Sequence, residues 1–401
     1  MGPFQTFVTA LAAGSVLFGV AIAHPGEEHS VGHIKKSLAA RDLAVAHAKE
    51  ASKCAGSASH AALRERAVAR RALTAQLLRE KRNVVDKTMV HRRDQASADK
   101  WLNTCHDQSG QYNFDLSTAE ATIFASKNAT SALTPETIIG PYFVAGEYIR
   151  RNVTEGQAGI PIHLDIQFVD VTTCEPVPKM LVDIWHCNAT GVYSGVSAEG
   201  QGGLNSTFLR GVQVTDADGV TQFDSIFPGH YTGRTNHIHV ASRLGGAILP
   251  NGTYVGGSVN HVGQLYFDQE LISAVETMHP YTSNQVALQL NKADFLVGDE
   301  ATTEYDPFIE YILLSDDAND GLLMWITIGV NTTANYDSTA LPAATYHEGG
   351  GKAEGNGAGG PPPSGGGFPG FPMPTPTPAA GPKPWGPCLS PKKGKKGTKT
   401  E

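Results

Sequence analysis

Net positive charge is what this 401-residue chain most plainly lacks. Its 31 Lys and Arg against 39 Asp and Glu give −8, which removes the electrostatic footprint expected of a nucleic-acid binder. Charged residues are also sparse overall, at 17%, while 40% are hydrophobic, enough for a globular core. Internal repeats are absent, which excludes solenoids and propellers. No apolar run beyond the first residues approaches the length of a bilayer-spanning helix, so no membrane role is expected. Cysteine is scarce, and Cys54, Cys105, Cys174, Cys187 and Cys388 fall at none of the zinc-site spacings.

The apolar run that does occur, Phe7 to Ala23, ends in Ala21-Ile22-Ala23, the small-x-small pattern of signal-peptide cleavage. It lacks a basic n-region, but Gly14, Ser15 and Gly19 and its shortness argue against an anchor. Secretion to the extracellular space is the expectation. Sequons at Asn128, Asn152, Asn188, Asn205, Asn251 and Asn331 agree with that route. An oxidising compartment would place two disulfides among the first four cysteines, leaving Cys388 in the tail.

The chain divides into a signal peptide (1–23), a helical extension or pro-segment (24–130), a β-sandwich domain (131–345) and a Gly/Pro-rich tail (346–401). Val31 to Val85 lacks proline and carries apolar residues such as Leu38, Leu43 and Val45 at helical spacing. A helical hairpin packed on the main domain is one reading. A removable pro-segment is the other, since Lys81-Arg82 and Arg92-Arg93 are dibasic. From Ile160 the texture becomes short alternating runs: Ile162–Val169, Met180–Trp185, Phe208–Val214, Gly219–Ile226, His237–Ser242, Gln264–Phe267 and Leu322–Val330. Asp268–Met278 reads as a short helix between strands. This spacing predicts a mainly β protein, an antiparallel β-sandwich. The tail cannot bury a core and reads as disordered. Its Lys392-Lys393-Gly394-Lys395-Lys396 cluster suits solubility first and contact with acidic wall polymers second.

The chemistry concentrates in Pro228-Gly229-His230-Tyr231-Thr232-Gly233-Arg234-Thr235-Asn236-His237-Ile238-His239. His237 and His239 lie two apart on a predicted strand, so both imidazoles project from one face. By itself such a pair arises by chance in alternating strands. Tyr231 precedes it after a Pro-Gly turn, and Tyr193 arrives from the run Asp183-Ile184-Trp185-His186-Cys187-Asn188-Ala189-Thr190-Gly191-Val192-Tyr193-Ser194. Two phenolates with two neutral imidazoles make a hard, anionic donor set suited to ferric iron.

From Thr134 to Val330 these residues resemble the intradiol ring-cleavage dioxygenases, and among them the secreted fungal type, which also carries a leader and a low-complexity tail. The likeness rests on Gly140-Pro141-Tyr142-Phe143, the Asp183–Ser194 run, Phe208-Leu209-Arg210-Gly211, Asp218-Gly219, Pro228-Gly229-x-Tyr231, Arg234-x-x-His237-x-His239 and Gln264-Leu265-Tyr266-Phe267. It implies a non-haem Fe(III) enzyme that cleaves catechol-type rings with dioxygen between the two hydroxylated carbons, giving muconate-type diacids. It assigns iron to Tyr193, Tyr231, His237 and His239, makes Tyr231 the tyrosinate displaced by substrate, sets Arg234 beside the bound ring and Gln264 among the polar site residues, and puts Pro141 and Tyr142 near the pocket mouth. Many members have Arg-Pro-Ala before the first histidine, where this chain has Arg234-Thr235-Asn236.

Bland readings stand beside these. His186 reads as a packed residue, Asp183 as support for a turn or strand, and Arg210 as an ion-pair residue or a site residue. One rival class is a non-catalytic wall-associated or carbohydrate-binding sandwich with a decayed metal site. The other is a copper site built on His24 as a mature N-terminus, with His29 and His33 nearby.

Overall fold

The computed structural model describes residues 57–84, 139–294, 306–315, 317–347 and 350–354, with isolated positions at 54, 102, 105–107, 124, 131–133, 296 and 297. The leader, His24, His29 and His33, the Arg92-Arg93 pair, Asn128 and the tail beyond 354 lie outside the described residues.

Helix α1 (Ala58–Lys81) contains neither glycine nor proline. The Ser57 side chain caps it by accepting from the His60 N–H. Arg79 and Lys81 in its last turn complement the helix dipole. The helix stops short of the expected Val85, where Asn83 enters the left-handed region at φ 52°. Leu63, Ala67, Arg71, Ala75 and Leu78 form its buried stripe.

The strands are β1 (Ser131–Leu133), β2 (Val144–Ala145), β3 (Pro161–Asp170), β4 (Leu181–Trp185), β5 (Arg210–Val214), β6 (Val220–Ile226), β7 (His237–Ile248) and β8 (Tyr254–Tyr266). Helix α2 (Gln269–Val275) follows, then β9 (Glu310–Leu313), β10 (Leu322–Val330), β11 (Ala344–His347) and β12 (Gly350–Ala353). One sheet runs β5-β4-β7-β8 and is antiparallel throughout. A second is ordered β1-β10-β3-β6, with β9 also on β10, and is mixed: β10 runs parallel to both β3 and β1. The long excursion between β3 and β10 permits this parallel pairing, which a hairpin cannot.

Between the sheets, Leu164, Ile166 and Phe168 of β3, Ile184 of β4, Phe223 of β6, Ile238 and Val240 of β7, and Met324 and Ile328 of β10 build the main core. Strands β7 and β8 are longer than their apolar runs suggest, because Gly245, Gly246, Gly256 and Gly257 stay within the hairpin rather than breaking it. The folded part also continues past the expected boundary at 345. Strand β12 pairs with β11, and β11 with β2. A Cβ at Gly350 (φ 111°) would lie 2.2 Å from Asn205 Oδ1 and one at Gly351 2.2 Å from the Leu204 carbonyl oxygen, so these two glycines are packing residues.

Helix α1 covers the outer face of the mixed sheet. Ala75 and Leu78 meet Ile312, Leu323 and Trp325. Asp165 is fully buried and takes Arg70 through Nε and Nη2 and Arg71 through Nε. Burial alone would raise the Asp165 carboxyl, but these two guanidinium groups hold it well below the usual carboxylate range.

The Cys54–Cys174 disulfide ties the segment before α1 to the turn after β3. The expectation of two bridges among the first four cysteines is corrected here. Cys187 is a free thiol, buried in the layer over the β5-β4-β7-β8 sheet with its Sγ 3.4 Å from the Gly229 carbonyl. Cys105 is disulfide-bonded as well, and its partner lies outside the described residues.

Candidate functional site

Period-two geometry splits β7 into two faces. Ile238 and Val240 enter the core, so His237 and His239 point the other way, beneath loops 139–147, 186–209 and 228–236. His239 lies opposite Trp185 on β4 and Gln264 on β8. The Trp185 and His239 rings stack with centroids 4.8 Å apart and planes 4° apart, which sets the imidazole plane. His237 Nδ1 donates to the Thr235 carbonyl at 2.6 Å, leaving Nε2 as the lone-pair nitrogen of the neutral ring.

The loop carrying Tyr193 is pinned by its own side chains. Asn188 Oδ1 accepts from the N–H groups of Thr190 and Val192, and Gln201 Oε1 accepts from the Tyr193 N–H. Gly191, at φ 85°, allows this loop to touch the Tyr231 loop. A Cβ there would stand 2.4 Å from the His230 carbonyl oxygen. The 228–236 turn is anchored by Asn236, which donates to the Pro228 carbonyl and Glu276, and by His230, which bonds Glu276 and the Val286 carbonyl.

All four expected ligand residues converge. The Nε2 atoms of His237 and His239 lie 3.1 Å apart, and the Tyr231 hydroxyl is 3.3 Å from His237 Nε2. The Tyr193 ring packs edge-on to Tyr231, centroids 5.5 Å apart. Its hydroxyl is buried without a well-formed hydrogen bond. Tyr193 is 0% exposed and Tyr231 7%. Burial, reinforced at Tyr193 by neighbouring Tyr231, pushes both phenols well above their ordinary range. Left to themselves they stay protonated; a cation among them would favour the phenolates. Among the described residues no three His, Cys, Asp or Glu side chains gather into a metal-holding group. This cluster joins two imidazoles to two phenols, and such a donor set fits a hard trivalent ion.

Arg234 and Gln264 adjoin the cluster. The fully buried Arg234 donates through Nε to Asp294 at 2.8 Å and through Nη2 to Gln264 Oε1 at 2.7 Å and the Tyr266 hydroxyl at 3.1 Å. Burial alone would lower its pKa, but Tyr266, Tyr231 and Asp294 raise it, so it is a permanent cation. Gln264 Oε1 is held by Arg234 and Tyr266, which leaves its Nε2 a buried donor without a hydrogen-bond partner. Tyr142 packs 4.8 Å from the Tyr193 ring and 6.3 Å from the Tyr231 ring, and is itself buried.

Sequence reasoning missed Asp294, Asn291 and Tyr266. The departure at Thr235 carried a signal. Unlike proline, Thr235 has an N–H, which donates to Asp294 at 2.8 Å, and its hydroxyl donates to Asn291. His186 is no ligand in this arrangement. Its ring bridges the Cys187 carbonyl and the Ser225 hydroxyl, and burial pushes it down to about 4, so it is neutral. Asp183 accepts from the Tyr254 hydroxyl and faces Arg243 at 3.8 Å.

Comparison with known proteins falls on this region. The model of a family described as dioxygenase matches residues 138–246, which include all four converging residues. This part of the chain is similar to the intradiol ring-cleavage dioxygenases. Catechol 1,2-dioxygenase 1 of Acinetobacter lwoffii is 34% identical over 106 residues, 24% of this chain and 32% of that protein. The match thus spans about a third of the length of that curated relative. Among solved structures, an intradiol ring-cleavage dioxygenase from Tetranychus urticae is 29% identical, with TM-score 0.42, covering 51% of this chain and 98% of that one. Catechol 1,2-dioxygenase from Acinetobacter sp. ADP1 gives 21% identity and TM-score 0.34, covering 50% and 63%.

Proposed function

We infer that the chain is a secreted, iron-dependent dioxygenase that cleaves catechol-type aromatic diols between their two hydroxylated carbons. The observation that carries this is the convergence of two imidazole Nε2 atoms, 3.1 Å apart, with the two buried phenols of Tyr193 and Tyr231. Ferric iron held by Tyr193, Tyr231, His237 and His239 would supply a Lewis acid that takes both oxygens of the diol and opens its ring to dioxygen.

The surrounding residues have distinct tasks. Tyr231, the less deeply buried of the two phenols, would hold the metal and take up a substrate hydroxyl proton on its Oη. Tyr193, wholly buried, would be the fixed anionic donor once a cation is bound. Arg234, 0% exposed, would offer a pre-oriented cation where negative charge grows on the ring, and its burial would let that charge act strongly. Gln264 Nε2 is the donor left over for an oxygen of substrate. Tyr142 helps keep water from the site. A decayed, non-catalytic sandwich would be expected to lose at least one of these groups, and none is lost.

Catechol and hydroxyquinol supplied with ¹⁸O₂ should give ring-opened diacids carrying both labelled atoms. Tyr193→Phe and His239→Ala should abolish product. Single-atom incorporation, or turnover surviving in His239→Ala, would sink the reading. Secretion rests on the leader and the sequons. The mature protein from a eukaryotic host should begin at His24 and carry glycan at Asn251, whose side chain is exposed. Asn188 should stay bare, since its Nδ2 donates to Gln157 in the fold. An intact leader in secreted protein, or a glycan at Asn188, would contradict this.

A further inference from the structure

Arg210 opens β5 and is 1% exposed, although the only acid in an ion pair with it among the described residues, Glu147, is 4.0 Å away. That distance is too long for a hydrogen bond. Both Glu147 oxygens are buried without a hydrogen-bond partner, and its carboxyl is pushed up to about 8, chiefly by burial. The guanidinium instead spends its donors on the residue after Tyr193. Nε reaches the Ser194 carbonyl at 3.0 Å and hydroxyl at 2.9 Å, and Nη2 reaches the same carbonyl at 2.6 Å. Its central carbon lies 5.9 Å from the Tyr193 ring centroid.

The backbone beneath Arg210 is fixed with equal care. Leu209, fully buried, is held in the left-handed region at φ 59°, where a branched aliphatic residue is strained. Its N–H donates to the Val153 carbonyl, and the Arg210 carbonyl accepts from Arg150 through Nε and Nη2. Strain that the surroundings over-determine marks a place where position matters. Here the position is that of one guanidinium group against one tyrosine.

We propose that Arg210 is the positioning residue of Tyr193: it clamps the Ser194 backbone and lays a permanent cation against the Tyr193 ring. The clamp fixes where the phenol oxygen sits. The cation steadies the negative charge that oxygen carries when it binds a metal, a consequence that rests on the iron reading above. A charge beyond the ligand itself is a known lever on metal affinity.

The test uses the full chain with Arg210→Gln and Arg210→Lys, each in a Glu147→Gln background so that no unpaired acid is left buried. In metal-free protein, hydrogen exchange should quicken selectively at the amides of Gly195 and Gly202 in both variants, with β3 and β10 unchanged. After iron loading, Arg210→Gln should lose iron to a chelator about tenfold faster and shift its tyrosinate charge-transfer band to longer wavelength. Arg210→Lys, which restores charge but not the fork, should return the band toward that of the parent. Parental exchange, band and iron release in Arg210→Gln would overturn the proposal. So would uniform acceleration of exchange across the whole domain, which marks a merely structural role. If the parent binds no iron, the functional reading fails by itself, and the metal-free exchange still decides whether Arg210 holds the Tyr193 loop.

Discussion

Replacing Asp294 by alanine should damage the protein twice, in stability and in turnover. Its carboxylate meets Arg234 Nε at 2.8 Å with both side chains 0% exposed, accepts from the Thr235 N–H at 2.8 Å, and caps the Leu296 N–H at 3.0 Å. Alanine leaves a guanidinium buried without its counter-ion, a change that costs about 3–5 kcal/mol. For a domain of this size that is a fall in melting temperature on the order of 10 °C. Urea unfolding of metal-free protein measures it, in a cycle with Arg234→Met. The pair Arg234→Met with Asp294→Leu should recover most of the loss, because an apolar pair of similar volume replaces both charges. Asp294→Ala should still hold iron, because Asp294 is no ligand, yet turn over poorly, because Arg234 is no longer held. A variant within about 1 kcal/mol of the parent, with normal turnover, would refute the reasoning.

The disulfide and the Asp165 cluster make α1 an integral part of the fold, which bears on the dibasic site at its end. Cleavage between Lys81 and Arg82 should leave the helix attached until the Cys54–Cys174 bond is reduced, as gels run with and without reductant would reveal. Cys54→Ser should cost up to about 5 kcal/mol by loop entropy for a sequence separation of 120. Release of the helix from nicked, unreduced protein would contradict this.

Much of the fold was legible because alternation is a local signal. The runs at Ile162–Val169 and Leu322–Val330 became β3 and β10 nearly residue for residue. Their parallel pairing was not legible, since it depends on which distant strands meet rather than on either pattern. The β7–β8 hairpin was underestimated because its glycines look like breakers when only local sequence is read. The site was legible where residues cluster in sequence, at Tyr231, Arg234, His237 and His239. Asp294 and Tyr266 were hidden because they reach Arg234 from outside that cluster, Asp294 across 60 positions and Tyr266 across 32. The cysteine expectation failed at Cys187 because packing, not redox compartment, decides whether two thiols can meet.

The central claim is that Tyr193, Tyr231, His237 and His239 hold one ferric ion that binds a diol. Iron content and the visible spectrum of the purified full chain test it together. About one iron per chain is expected, with a broad visible tyrosinate-to-iron band that shifts when catechol is added without oxygen. A colourless protein that takes up no iron on loading, or a band indifferent to catechol, would contradict it.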